Sequence, residues 1–133
     1  MTFNTFVEEA KEKLFQKLKV LLDNQDVGMT KAQYLEMMEQ MGEEPDWDKC
    51  PAEWEDFPSC VTDAVSIYHS LGDRVYPEIG FVGKDYTNFE FLLKQYDSQR
   101  EFTFEICRFL ESRAVEESQK RIKAEYEKIK RKR

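Results

Sequence analysis

Apolar residues along the chain recur mostly at the three-and-four spacing of amphipathic helices, and that rhythm breaks in two places. Phe3, Phe6, Val7, Ala10, Leu14, Leu18, Leu21 and Leu22 form the first stripe. It predicts a helix over about residues 4–22, with Thr5 and Glu8 placed for a capping box. "DNQDVG" reads as a turn. A shorter helix follows in "TKAQYLEMMEQMG", where Thr30 and Gln33 suit a cap, Gly42 suits a stop, and Tyr34, Met37, Met38 and Met41 share one side. Val61, Ala64, Val65, Tyr68 and Leu71 make a third stripe ending at Gly72. Pro58 suits the first position of this helix, about 58–71, because its missing N–H needs no partner there.

The first break is "EEPDWDKCPAEWEDFP", residues 43–58, which holds seven carboxylates, both tryptophans and three of the four prolines. Its prolines oppose regular structure. Trp54 and Phe57 suit an aromatic anchor for an otherwise acidic strap, with Pro58 starting the next helix. The second break is "DRVYPEIGFVGKDY", whose glycines and proline among β-branched and aromatic residues predict an extended, turn-containing loop over residues 73–86. It is not a phosphate-binding loop, since Glu78 stands where the Walker pattern needs glycine and Asp85 follows Lys84. Thr87 or Asn88 can cap a short helix carrying Leu92, Leu93 and Tyr96, and Ser98 can cap a long last one.

That last helix is apolar at Phe102, Ile106, Cys107, Phe109 and Leu110, then thins to Val115, Ile122, Tyr126 and Ile129 among charges. So narrow a stripe suits a projecting arm or a seam with a partner. The fold class expected is therefore all-α: a small domain of about five helices over residues 1–112, with a basic helical extension over 113–133. A linker boundary near residues 43–56 is the alternative division.

Charge sharpens this picture because it is unevenly placed. The total of −7 divides into −1 for residues 1–28, −8 for 29–70, −2 for 71–110 and +4 for 111–133. Nucleic acid is a poor partner for most of such a surface, since phosphate contacts need clustered Lys and Arg. Cys50, Cys60 and Cys107 have no CxxC spacing and a single histidine accompanies them, so no zinc site is expected and reduced thiols in a cytosol are the simplest reading. No export signal or run of 18 apolar residues is recognisable, which predicts a cytoplasmic protein without membrane spans.

Candidate chemistry is sparse. His69 would need an orienting carboxylate to act as a base, for which Asp73 at i+4 is in reach, but a surface histidine near a helix C-terminus is the better reading. Asp46, Asp48, Glu53, Glu55 and Asp56 lack the order and glycine of a calcium loop. Cys60 lies near a helix start, which lowers thiol pKa, yet packing beneath Trp54 is the commoner role. No catalytic residue, metal or cofactor is expected. Met37, Met38 and Met41 with Tyr34 suit core packing or, beside Asp46, Asp48, Glu53 and Glu55, a groove for a basic amphipathic helix. The terminal "KRIKAEYEKIKRKR" reads as a solvated helix end whose cations suit the negative pole, with phosphate or another copy's acidic strip as the alternative contacts.

From Trp54 to Tyr96 the pattern "W-x-x-FP … A-V-x-I-Y-x-x-L-G-D … G-F-V-G-K-D-Y-T-N-F-x-F-L-L" resembles the short domain associated with tail assembly chaperones of tailed bacteriophages. Trp54, Pro58, Ile67, Leu71, Gly83, Asp85, Tyr86, Leu92 and Leu93 match in kind, and Gly83, Asp85 and Tyr86 carry over as structural positions. The resemblance implies a non-enzymatic protein that binds the helical tape-measure protein or tail-tube subunits during assembly in the host cytoplasm. The alternative is an acidic inhibitor of a host nucleic-acid-binding or defence protein.

Overall fold

A computed structural model describes the fold of residues 3–132 and the side-chain environments of residues 8–25 and 28–132. It is mostly helical, with five α-helices and one antiparallel strand pair among the described residues. The chain divides into two compact units whose boundary lies between Pro58 and Ser59.

The first unit contains α1 (Phe3–Val27) and α2 (Lys31–Met41), followed by the strap and a single 3₁₀ turn at Trp54–Asp56. Helix α1 runs through most of the expected "DNQDVG" turn, and Asn24 Nδ2 bonds back to the Val20 carbonyl at 2.7 Å. Side-chain bonds of this kind are available to Asn inside a helix as well as in a turn. The expected Thr5/Glu8 capping box and the contribution of Phe3, Phe6 and Val7 lie outside the described side chains. Helix α2 begins with the capping box read from the sequence. Gln33 N donates to Thr30 Oγ1 at 3.1 Å, Thr30 N donates to Gln33 Oε1 at 3.0 Å, and Gly42 ends the helix in the left-handed region. Leu18, Leu21, Tyr34, Cys50, Ala52 and Phe57 are among this unit's buried residues.

The second unit opens with α3 (Ser59–Ser70), one residue after Pro58. Strands β1 (Gly72–Tyr76) and β2 (Gly80–Asp85) follow, then α4 (Phe89–Tyr96) and α5 (Arg100–Arg131). The strands overturn the all-α expectation: the segment read as a loop is a hairpin. Its register sets Asp73 opposite Lys84, so opposite charges meet across the ladder, and an irregularity at Arg74/Val75 absorbs one extra residue. The turn residues and the β-branched and aromatic flanks were both present in the sequence; pairing is what makes the extended segment regular. Gln99, not Ser98, caps α5, its Oε1 accepting from Phe102 N at 2.6 Å.

Helix α5 carries the core of this unit. Thr103, Ile106, Cys107 and Leu110 are buried along it, as are Val61, Ala64, Ile67 and Tyr68 on α3 and Phe89 and Leu93 on α4. The rings of Tyr86, Phe89 and Phe104 meet edge to face at 5.6 to 5.9 Å. The expected division at residue 112 falls inside this continuous helix. Packing on the hairpin persists to Ile122, because Gly80, at φ +85°, lets Ser118 and Ile122 approach its backbone. Ser118 Oγ accepts from Phe81 N at 3.2 Å.

A Cβ on residue 80 would stand 2.4 Å from Ile122 Cδ1 and 2.7 Å from Ser118 Oγ. Gly80→Ala is expected to cost about 2–4 kcal/mol, combining left-handed strain with overpacking. Gly42→Ala, at φ +69° in open space, isolates the strain alone and should cost about 1–2 kcal/mol. Urea unfolding followed by circular dichroism compares the two.

Candidate functional site

The strap of the first unit is an ordered segment held at both ends. Near its start the Tyr34 hydroxyl accepts from Asp46 N at 3.1 Å and donates to Asp46 O at 3.3 Å. Tyr34, expected on the partner face, is therefore buried and fastens Asp46 to α2. The next residues fold into a turn: Asp46 Oδ1 accepts from Asp48 N at 3.1 Å, and Asp46 O accepts from Lys49 N and Cys50 N.

At the far end, Asp56 Oδ2 accepts from Glu53 N at 2.9 Å and pairs with Lys31 Nζ at 3.3 Å. The Glu53 N–H bond and Lys31 hold the Asp56 carboxyl below its usual range. Lys17 Nζ donates to Asp56 O at 3.0 Å and lies 5.2 Å from the centroid of the buried Phe57 ring. Trp54 sits 5.9 Å from the buried Phe57 ring, so the two expected anchor residues lie together at this end of the strap. Pro58 is exposed.

The strap turns its charges outward. Glu43, Glu44, Asp46, Asp48, Glu53 and Glu55 are all exposed. Trp47, one residue past the Tyr34 anchor, is 68% exposed, and Met41 is 57% exposed with Met37 exposed beside it in the helix; Met38 is half-buried. Trp47 and Asp48 also line an open cleft of about 930 Å³, with Lys13, Lys17 and Lys31 on its walls. A large aromatic and flexible thioethers in contact with water, within the most acidic stretch of the chain, belong to the surface rather than the core. Of the expected partner-facing residues, Met37, Met41, Asp46, Asp48, Glu53 and Glu55 present themselves, and Trp47 is an addition. Its signal was its place among charges, away from the Trp54–Phe57 anchor.

The second unit contains a polar junction that sequence reasoning missed. Lys84 is only 8% exposed. Its ammonium donates to Asp73 Oδ1 at 2.6 Å and to Leu71 O at 3.3 Å, and lies 4.5 Å from the centroid of the Tyr68 ring. The Lys84 backbone N–H donates to Glu111 Oε2 at 2.8 Å, and Arg108 reaches the other Glu111 oxygen at 3.4 Å. Gly83, buried at φ +140°, makes room, since a Cβ there would press the Glu111 carboxylate at 3.2 Å. Asp85 accepts from Thr87 N at 2.9 Å and turns the chain into α4, where Tyr86 joins the aromatic cluster. The overlooked signal was Glu111, a carboxylate set within the apolar side of α5.

Burial first, then the charges of Asp73 and Glu111, raise the Tyr68 phenol to about 12. Burial and Glu111 push the Cys107 thiol to about 12 and move the Tyr86 phenol upward too. These groups are held protonated, the opposite of an activated nucleophile. Asp73 is engaged by Lys84, and His69 is exposed beside the Tyr68 ring. Cys60 is exposed in the first turn of α3. Among the described residues, no cluster of three or more His, Cys, Asp or Glu is arranged for a metal ion, and no helix is long and apolar enough to cross a membrane. No family model, curated protein or solved structure matches the chain.

Two outcomes are expected at the junction. Glu111→Ala leaves the Lys84 N–H unpaired and should destabilise the protein by about 1–3 kcal/mol, whereas Glu111→Gln, which keeps an acceptor, should lose less than half of that in urea unfolding. Raised folded-state values also set an alkaline dependence. The unfolded chain releases thiol and phenol protons near 9.0 and 10.0, the folded one near 12, so this stability is complete below 9 and lost as pH rises toward 12. Urea midpoints measured across that window should fall, and Tyr68→Phe should flatten the fall.

Proposed function

We propose that the protein is a non-catalytic binding module whose acidic, methionine-bearing face takes a basic amphipathic helix of another protein. The observation that carries the reading is the exposure of Met37, Met41 and Trp47 within the most acidic part of the chain. Large apolar groups at the surface are costly to leave in water, so a partner that covers them gains their burial; flexible methionines let the fit vary. Carboxylates around them select a cationic client and speed its approach.

The kind of client follows from the resemblance over residues 54–96. In this reading the protein is a tail assembly chaperone or adaptor, acting in the cytoplasm of a phage-infected host and shielding a helical tape-measure or tail-tube segment until assembly. The Gly83–Tyr86 run that carries much of the resemblance leads from β2 into α4, at the junction around Lys84. The long α5 helix, which ends in a basic exposed stretch, is the part of the molecule suited to self-association before a client is bound.

Co-expression with a tape-measure fragment from the same genome tests the reading. The fragment should co-purify and gain solubility. Met37→Ser/Met41→Ser/Trp47→Ser should weaken capture at least tenfold, equivalent to about 1.4 kcal/mol or more. Capture that survives this triple change but is lost on Glu43→Lys/Glu44→Lys/Asp48→Lys would favour the acidic inhibitor instead; absence of capture by the unaltered protein would sink the chaperone reading.

A further inference from the structure

Helix α5 outruns its own packing. Ser118 is buried and Ile122 half-buried where they crowd Gly80, but from Lys123 to Lys132 every residue is exposed. These ten residues would extend about 15 Å as helix. Tyr126 and Ile129 lie three residues apart, on one side, at 67% and 59% exposure. Seven exposed Lys and Arg occupy positions 120–132. So short a helical piece gains little stability alone, and its apolar pair has no cover among the described residues.

We propose that this end of α5 docks on the acidic face of the first unit of a second copy, so that copies associate head to tail. The inference rests on the reading of Met37, Met41 and Trp47 as a binding face, and names a second occupant for it. Charge complementarity selects the copy: residues 29–58 of the first unit, with nine carboxylates and two lysines, sum to −7 and residues 111–133 to +4. Two α5 ends side by side would set like charges together, which disfavours a symmetric helix pair. Chemically, a helix end with Tyr and Ile among lysines is what the proposed client offers, so α5 acts as a stand-in that the client displaces. A contact between two different surfaces need not close on itself, and it permits chains of copies as well as rings.

Sedimentation velocity over rising protein concentration, at low salt and at about 1 M where the screening length falls to about 3 Å, tests this with three full-length proteins. Unaltered protein should associate with concentration and dissociate at high salt. Glu43→Lys/Glu44→Lys/Asp48→Lys and Lys123→Glu/Lys128→Glu/Lys130→Glu should each associate at least tenfold more weakly. All six positions are exposed, and circular dichroism checks that both variants are folded. Mixing the two variants should restore association in 1:1 stoichiometry, and a captured tape-measure fragment should disperse the unaltered assembly. A monomeric unaltered protein, association that survives the α5 changes, or no complex on mixing would overturn the proposal; so would binding of α5 to duplex DNA without self-association. Client capture without self-association defeats this inference alone, while self-association without client capture defeats only the proposed function.

Discussion

One buried ammonium, Lys84 Nζ, ties together the end of α3, both strands and, through its own backbone N–H, helix α5. Removing a lysine from water is expensive, and the expense is met here by a carboxylate, a carbonyl and an aromatic face. Asp73 stays more than half exposed, so only one of the two charges is fully desolvated. The arrangement therefore contributes orientation more than net stability. Lys84 can reach Leu71 O and Asp73 together only if β1 follows α3 closely and pairs with β2 in the observed register. Glu111 then sets where α5 crosses β2, and Gly83 is the residue that lets its carboxylate approach.

The parts of this fold legible in the sequence are those written in local chemistry. The Thr30/Gln33 box, the Gly42 stop and the α3 stripe all act within one helix and need no partner. The Trp54–Phe57 anchor was also readable, because an aromatic pair beside proline in a charged segment has few other uses. What escaped depends on distant pairing. A two-stranded ladder has its meaning in the register between residues 72–76 and 80–85, and "DRVYPEIGFVGKDY" alone shows only extended residues and turn formers. Lys84 stands in a stretch that fails the phosphate-loop pattern, and nothing near it in sequence announces that Leu71, Tyr68 and Glu111 will converge there.

The candidate site shows the same division in another form. Spacing grouped Tyr34 with the methionines, and the grouping is right as helix geometry, but a phenol can also serve as a two-way hydrogen-bonding group. Both backbone groups of Asp46 use it, which turns an apparent surface tyrosine into the strap's fastening. Trp47 goes the other way: a tryptophan is ordinarily a good anchor, yet here Trp54 occupies that role with Phe57 and Trp47 is left in water. Composition could not distinguish the two tryptophans; the anchors at Tyr34 and Asp56 do.

A strap fixed at both ends changes the energetics of binding to it. A loose acidic loop would lose conformational freedom when a partner arrived, at roughly 1–2 kcal/mol per ordered residue for the backbone alone. Here Asp46 to Cys50 is already a hydrogen-bonded turn, and Glu53 to Asp56 is held by its own bonds and by Lys17 and Lys31. The carboxylates between these anchors are displayed on ordered backbone, so little of a partner's binding energy is consumed in arranging them. The methionines of α2 provide the opposite quality, adaptability in the side chain upon a fixed helix. A rigid charged frame beside a compliant apolar face discriminates by sign of charge while tolerating differences of shape. That combination suits a protein whose clients share a helical, basic character more than a sequence.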